Sequence, residues 1–298
     1  MLLVSDAGVR AKAIIRGEKI KTTKIISTLL LTIALVSCVN LKEVRDYAGE
    51  SAKLSAYTEL TTRFRDTYER EQPYLSGEAD RQAQDNDKRR KAAYEDLLKI
   101  HQRVALYMQT LAKLAGEDTF DLSKDVDSLA GGIKAYPDLG INEKHVDAVS
   151  NISKVITKWI TSSHQEHAVR GMVKEGDAYL QTTLEGMMSL VRYYRKTNEN
   201  ESKTVLGFFE VEIPFADSPK DKLLATLARV HVQSKTSEYR NAQLKYDDAE
   251  KGIKTIAEGH RKLLENIDKL SKDEVKTMIS KFAKDIKTIR ENLQTVRD

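Results

Sequence analysis

The chain has 298 residues, of which 40% are hydrophobic and 32% are charged, and only 4 prolines and 14 glycines interrupt it. Typical domains are about 45–50% apolar and about 25% charged, so this composition favours long helices with solvated faces over a sheet protein, which needs frequent turns. The net charge of +4 belongs to residues 1–37, with six basic and two acidic side chains. The neutral remainder offers no basic surface for nucleic acid.

The first element in the chain is a leader that ends at a cysteine. Basic residues up to Lys24 precede an uncharged apolar run over residues 25–37, and Cys38, the only cysteine, follows it. The run is shorter than the roughly 20 residues that a helix needs to span a bilayer. A basic segment before about 7–15 apolar residues is typical of a secretory signal. The pattern predicts a signal peptide over residues 1–37 and a single helical domain over 38–298.

The end of the apolar run, Leu35-Val36-Ser37-Cys38, resembles the lipobox of bacterial lipoproteins. The resemblance implies that Cys38 is acylated, becomes the first residue of the mature protein and anchors it to the lipid bilayer. Two or three acyl chains anchor stably, because each buried methylene contributes roughly 0.8 kcal/mol. Val39 stands where an aspartate would signal inner-membrane retention in enterobacterial lipoproteins, so the resemblance implies the outer membrane, facing the periplasm. The alternatives for Cys38 are a small buried hydrophobe and a reactive thiol.

After the leader, apolar residues recur every three or four positions and predict a series of long helices. The first is expected over residues 44–71 and the second over residues 78–115. Asn142 caps a predicted helix that reaches about residue 197, and a short helix is expected after Ser123. Ser218-Pro219 predicts the start of a helix that reaches about residue 270, and Ser271 precedes the last one. The apolar stripe of the second helix is Tyr94, Leu97, His101, Val104, Met108, Leu111 and Ala115.

Helices of 40–55 residues are far longer than the average of about 11–12 residues, and their single apolar stripes must be buried against neighbours. The predicted fold class is therefore all-α, an elongated helical bundle or a set of long coiled-coil-like hairpins.

One segment, residues 204–215, departs from the helical rhythm because its apolar residues alternate with polar ones. Alternation predicts a strand or an extended connector between the two longest helices. One interpretation is that the segment folds over the end of the bundle and caps its core. The other is an exposed apolar loop that binds a partner or a membrane. The candidate binding residues are Phe208, Phe209, Val211, Ile213 and Phe215.

Histidines provide the weak candidates for chemistry. His164 and His167 are one turn apart with Glu166 between them, a spacing that a metal can use, but without a third ligand in sequence the favoured interpretation is two surface or stripe-edge histidines on a charged helix. His101, His167 and His260 occupy stripe positions of three different helices. At one level of the bundle they would form a buried polar layer, and otherwise they are independent core or edge residues.

The remaining motifs favour no catalytic function. The basic cluster Asn86-Asp87-Lys88-Arg89-Arg90-Lys91 is surrounded by acids, which indicates a solvated helix face rather than a phosphate site. The sequence contains no phosphate-binding loop, nucleophile elbow or dinucleotide-binding motif, and we expect no cofactor.

The leading hypothesis is a lipid-anchored, non-enzymatic interaction module that binds another envelope protein as a scaffold, adaptor or immunity-type binder. The alternatives are a membrane-active protein that uses residues 204–215 as a tongue, and a metal-dependent enzyme that uses His164 and His167.

Overall fold

A computed structural model describes residues 41–116, 129, 131–162, 166–216 and 218–295, and these residues form helices and turns without a strand. They all lie in one unit, Leu41–Asp298. We number the helices of this part of the chain in order: α1 Lys42–Ser51, α2 Ser55–Arg65, α3 Thr67–Glu71, α4 Gly77–Ala115, α5 Glu143–Trp159, α6 Glu166–Glu212, α7 Lys222–Glu265 and α8 Asp273–Gln294.

The helices pack side by side, which confirms the predicted all-α bundle. Helices α6 and α7 form a long antiparallel hairpin, in which the 47 residues of α6 span about 70 Å. Helix α5 packs against α4 and α6, α8 packs against α1 and α7, and α1 and α2 pack against α4. Short 3-10 turns lie at Gln72–Tyr74, Pro137–Leu139, Ile213–Phe215 and Ile267–Lys269.

The predicted stripe of α4 forms part of the core. From Leu97 to Ala115 every predicted stripe residue is buried, and Tyr94 is half-buried. Asn142 is the N-cap of α5 as predicted, and its backbone N–H donates to Nδ1 of His145 at 3.2 Å. A regular spacing of three and four residues therefore located the buried face correctly where the helix is continuous.

The prediction of one helix over residues 44–71 was wrong, because three helices occupy this segment. Tyr47 on α1 and Tyr57 on α2 both contact α7. In one uninterrupted helix, residues ten positions apart point about 80° apart, so one of the two rings would miss α7. The break between Ser51 and Ser55 lets both rings meet it.

The helix predicted over residues 142–197 is also divided. Helix α5 ends at Trp159, α6 begins at Glu166, and the two pack against each other. The intervening Thr161 and Ser162 disfavour helix, because their hydroxyls compete for backbone hydrogen bonds. The short helix expected after Ser123 falls on residues outside the described ranges.

The strand or extended connector predicted for residues 204–215 was wrong. Residues 204–212 continue α6, and Ile213–Phe215 form a 3-10 turn that contains Pro214. Extending an existing helix by a residue adds a hydrogen bond without a new nucleation cost, whereas a lone strand has no partner for its backbone. The next helix begins at Lys222, four residues after the predicted start at Ser218.

Three buried tyrosines hold the bundle together by the same geometry. The hydroxyl of Tyr47 donates to the carbonyl of Ile256 at 2.6 Å, that of Tyr57 to Ala249 at 3.1 Å, and that of Tyr107 to Met172 at 3.2 Å. Each ring lies against a glycine three or four residues beyond the accepting carbonyl: Gly259, Gly252 and Gly176. A helical side chain covers the turn that precedes it, so a glycine at this position leaves the carbonyl open to the tyrosine.

We expect Gly176→Ala to lower the free energy of unfolding by about 1–3 kcal/mol, because overpacking forces the facing ring to move. A methyl group at this position would lie 2.5 Å from Cε2 of Tyr107. Chemical denaturation provides the measurement. The matched control is Gly207→Ala on the same helix, where no neighbouring atom lies within 4 Å. This control should gain about 0.5–1 kcal/mol from helix propensity. Equal stabilities of the two variants would contradict the packing argument.

Candidate functional site

Large exposed hydrophobic side chains concentrate where α6 turns into α7. In the described ranges, seven of the nine such side chains lie between residues 208 and 230. We call these seven the tip patch: Phe208, Val211, Phe215, Leu223, Leu224, Leu227 and Val230. Single exposed hydrophobics are ordinary, but a contiguous group of this kind marks an interaction surface.

Helix α7 contributes four members of the tip patch because its first turns are apolar on two faces. Ala225 faces α6 and is buried, and Ala228 and Val232 are half-buried. Leu223 and Leu227, on the other face, are exposed. A surface helix of a globular protein normally carries one apolar stripe, which faces the core. The second apolar face of this segment, with Leu223 and Leu227, is therefore not packed against another part of the described chain.

The predicted residues of segment 204–215 divide between this surface and a structural contact. Phe215 is 79% exposed, Val211 60% and Phe208 40%, whereas Phe209 and Ile213 are half-buried. A groove of about 400 Å³ lies between Phe208 and Phe209 on one side and Leu224 and Ala228 on the other.

An aromatic cluster joins the tip to the rest of the bundle. The ring of Tyr74 lies 5.6 Å from Phe208 and 5.5 Å from Phe209, both in edge-on orientation. The Tyr74 hydroxyl is also 2.8 Å from Nε2 of His231 on α7. Phe209 therefore supports the hairpin, whereas Val211 and Phe215 extend the apolar surface beyond this contact.

Sequence reasoning missed the α7 half of the patch. Leu223, Leu224, Leu227 and Val230 recur at helical spacing, and Ala225 and Ala228 lie between them. The sequence feature that could have predicted them is the presence of two apolar stripes on one short helical segment. One stripe packs on the partner helix, and the second is exposed.

The charges around the patch nearly cancel. From residue 208 to residue 230 the sequence contains four acidic and three basic side chains. Glu210 and Glu212 are exposed on either side of Val211, and Lys222 and Arg229 are exposed on α7. This mixture is typical of the polar rim of a protein interface. Helices that lie in a membrane interface instead carry a surplus of lysine and arginine.

The structure describes only some of the candidate metal-binding and lipidation residues. Cys38 and His164 lie outside the described residues. His167 is exposed on α6. Within the described ranges, no group of three or more histidine, cysteine, aspartate or glutamate side chains is arranged to hold a metal ion.

The three stripe histidines do not share a polar layer. His101 is buried, and its Nε2 lies 2.8 Å from Oγ1 of Thr61. His260 is buried in another cluster, whereas His167 is exposed. The two buried histidines are therefore separate parts of the core.

His260 forms the centre of a polar brace between α4, α6 and α7. Its Nδ1 lies 2.7 Å from Oδ1 of Asp177, and its Nε2 lies 2.9 Å from the hydroxyl of Tyr107. Burial alone would raise the pKa of Asp177, but hydrogen bonds from His260 and Gln181 outweigh it and lower that pKa. Burial also raises the pKa of Tyr107 well above its ordinary value. The aspartate therefore stays charged and accepts from both partners.

No protein-family model matches the chain, and no curated protein or solved structure is significantly similar to it. Among the helices of the described part, none is long and apolar enough to cross a membrane.

Acid should weaken the fold through His101. Burial lowers the pKa of His101 from 6.5 to about 4. Between these two pH values the imidazole is protonated in the unfolded chain but neutral in the folded chain. Stability therefore falls as pH drops from 6.5 to 4. We expect His101→Gln to reduce this pH dependence by up to about 3 kcal/mol.

The measurement is the free energy of unfolding across that pH range. His167→Gln, a change of the exposed histidine on α6, is the matched control and should follow the wild-type profile. A His101→Gln profile that coincides with the wild type would show that another group causes the loss.

Proposed function

We propose that this chain is a lipid-anchored bacterial envelope protein whose α6–α7 tip binds another envelope protein, with no enzymatic role. Acylated Cys38 anchors it to the outer membrane, with the helical domain facing the periplasm. This part of the proposal rests on the resemblance of Leu35-Val36-Ser37-Cys38 to a lipobox. Scaffold, adaptor and immunity-type binder are the forms of this function that we consider.

The observation that carries the proposal is the tip patch. Its members lie on two helices and the turn between them, and Phe208, Phe215 and Leu224 line one groove. Burying such side chains against a partner contributes about 25 cal/mol per Å² of apolar area, less the cost of association. The aromatic contact of Tyr74 with Phe208 and Phe209 holds the surface in place before binding.

Charge favours a protein as the occupant. If the tip entered a bilayer, Glu210 and Glu212 would enter with Val211, and a charged side chain in hydrocarbon costs several kcal/mol. Beside a protein the same carboxylates remain at the solvated rim. We therefore propose a partner with an apolar groove and a rim of mixed charge.

The second candidate is a membrane-active tip, favoured by the high exposure of Phe215 in the turn. It predicts release of a trapped dye from lipid vesicles that depends on the tip patch. Phe208 and Phe209 are unsuitable sites for this test, because both rings contact Tyr74 and their loss would disturb the hairpin.

We expect a variant with Val211, Phe215, Leu223 and Leu227 each changed to Gln to lose partner binding by at least about a hundredfold, since buried apolar anchors dominate interface affinity. Glutamine is a good helix former and the four side chains are mostly exposed, so the fold should persist. The measurement is crosslinking of the acylated chain in its envelope, followed by binding of the recovered protein in purified form.

The control for this variant is Tyr179→Gln, a change of another exposed aromatic on α6 away from the tip. It should retain the crosslinked protein. Sedimentation and vesicle-leakage measurements complete the test. Tip-dependent self-association or tip-dependent leakage, without a captured protein that needs the tip, would overturn the proposed occupant.

Lipidation is tested separately. We expect Cys38→Ala to abolish incorporation of labelled palmitate and to move the chain from the membrane fraction, because the acyl chains provide the anchor. Val39→Asp is the matched control, which should keep the label and shift the protein to the inner membrane. Palmitate labelling that persists in Cys38→Ala would contradict the assignment, since Cys38 is the only cysteine.

A further inference from the structure

A second feature, independent of the tip patch, is a groove between α3, α4, α6 and the turn at Pro137–Leu139. Its volume is about 450 Å³, within the range of about 300–1,000 Å³ that small-molecule sites occupy. Phe64, Tyr136 and Tyr193 contribute aromatic walls, and Glu71 and Arg90 contribute charge. We call this feature the Arg90 groove.

Arg90 belongs to the basic cluster at residues 86–91, for which a solvated helix face was predicted. That prediction was wrong for Asp87, which is 8% exposed, and for Arg90, which is only 7% exposed. Its Nε and Nη2 atoms are buried without a hydrogen-bond partner, and it forms no ion pair with any residue in the described ranges. The ring centre of Phe64 is 5.9 Å from the guanidinium carbon of Arg90.

A neighbouring arginine shows what the unpaired edge of Arg90 can bind. The same two atoms of Arg70, Nε and Nη2, each donate to a carboxylate oxygen of Glu201 at 2.8 Å. This two-point arrangement is the strong geometry for an arginine and a carboxylate. Arg90 presents the same edge without a carboxylate, although an unpaired buried charge is costly.

The nearby acids are not equally available to Arg90. Glu201 is held by Arg70 and accepts from the hydroxyl of Tyr239 at 3.0 Å. Oδ2 of Asp87 is 2.8 Å from Nζ of Lys91, whereas its buried Oδ1 has no hydrogen-bond partner. Glu71 has no hydrogen bond or ion pair in the part of the chain that the structure describes, and its oxygens are not within 4.0 Å of the guanidinium nitrogens. Burial raises the pKa of Glu71, and the charge of Arg90 opposes this shift.

From this arrangement we propose that the Arg90 groove binds a free α-amino acid with an apolar side chain. When the Arg90 side chain turns toward the groove and uncovers Nε and Nη2, these two atoms bind the ligand carboxylate, and the carboxylate of Glu71 binds the ligand ammonium. The apolar side chain packs against Tyr136 and Tyr193, the more exposed rings of the groove. Arg89 and Asp138 also line the groove but are exposed, whereas Arg90 is buried and Glu71 is half-buried. With one positive and one negative group in its less exposed part, the groove complements a zwitterion better than a simple anion or cation.

Titration calorimetry of the full chain with L-leucine and L-phenylalanine tests the proposal. Two analogues of phenylalanine separate the two charges: 3-phenylpropanoate lacks the ammonium group and 2-phenylethylamine lacks the carboxylate. We expect the wild type to bind at least one amino acid and to prefer phenylalanine to either analogue by at least about tenfold, the effect of one charged hydrogen bond. No binding of either amino acid up to about 10 mM, a very weak affinity, would overturn the proposal.

The variants assign the two charges. Arg90→Gln should weaken binding of the amino acid and of 3-phenylpropanoate by at least about tenfold. Arg90→Lys keeps the charge without the two-point edge and should weaken both as well. Glu71→Gln should weaken the amino acid but not 3-phenylpropanoate.

The control is Arg81→Gln on the same helix, where the exposed Arg81 pairs with Glu78. Its affinities should equal those of the wild type. Thermal unfolding without ligand establishes that each variant is folded, and Arg90→Lys replaces Arg90→Gln if the latter is not. Folded Arg90 variants that bind the amino acid as tightly as the wild type would overturn the proposal.

Discussion

The bundle depends on one repeated contact, a buried tyrosine hydroxyl that donates to a helix carbonyl left open by a glycine. Tyr47 and Tyr57 make this contact with α7, and Tyr107 makes it with α6. Each contact combines a large apolar ring with a hydrogen bond to one particular carbonyl, which sets the register of the two helices. Apolar stripes alone tolerate sliding by one turn, since every turn offers similar side chains. The tyrosines remove that freedom, because only the matched glycine admits the ring.

This registration determines where the hairpin leaves the bundle. Helices α6 and α7 are fixed near Gly176, Gly252 and Gly259, and their common end lies many turns away, where Tyr74 makes an aromatic contact with Phe208 and Phe209. Beyond this contact the hairpin is held by its own two helices, which meet through small side chains such as Ala225. Small inner residues bring the two helices close together and leave the larger Leu223 and Leu227 outside. The exposed surface is thus a consequence of how the hairpin packs, not of a shortage of inner positions.

The prediction of buried residues from the sequence was most accurate where a segment showed a single hydrophobic periodicity. Along α4 the apolar residues from Leu97 to Ala115 obey a single helical period, and all are buried. Residues 204–215 were compatible with two structures: the alternation over residues 209–215 is compatible with a strand, while the preceding part of α6 favours continuation of the helix. The helix prevailed since it needs no partner for its backbone. The exposure of Arg90 was predicted wrongly for a different reason. A charge pattern in the sequence describes only the neighbours of a residue along its own helix. Arg90 is buried by residues of α2, α3 and α6, which only the fold brings together.

The tip patch and the Arg90 groove violate opposite rules of stable folding. The patch leaves apolar side chains in water, and the groove removes a charged edge from water without giving it a partner. Elsewhere in the described core, His260 and Glu201 meet their partners closely, and buried arginines such as Arg103 leave one nitrogen unpaired where Arg90 leaves two. Neither violation helps the bundle itself: a polar residue at Leu227 or an apolar one at Arg90 would remove it. Local rules are broken without structural gain mainly at functional sites, where a ligand or partner supplies the missing contact. The two features call for different occupants, since an apolar surface with a mixed rim suits a protein and a buried unpaired arginine suits a small carboxylate.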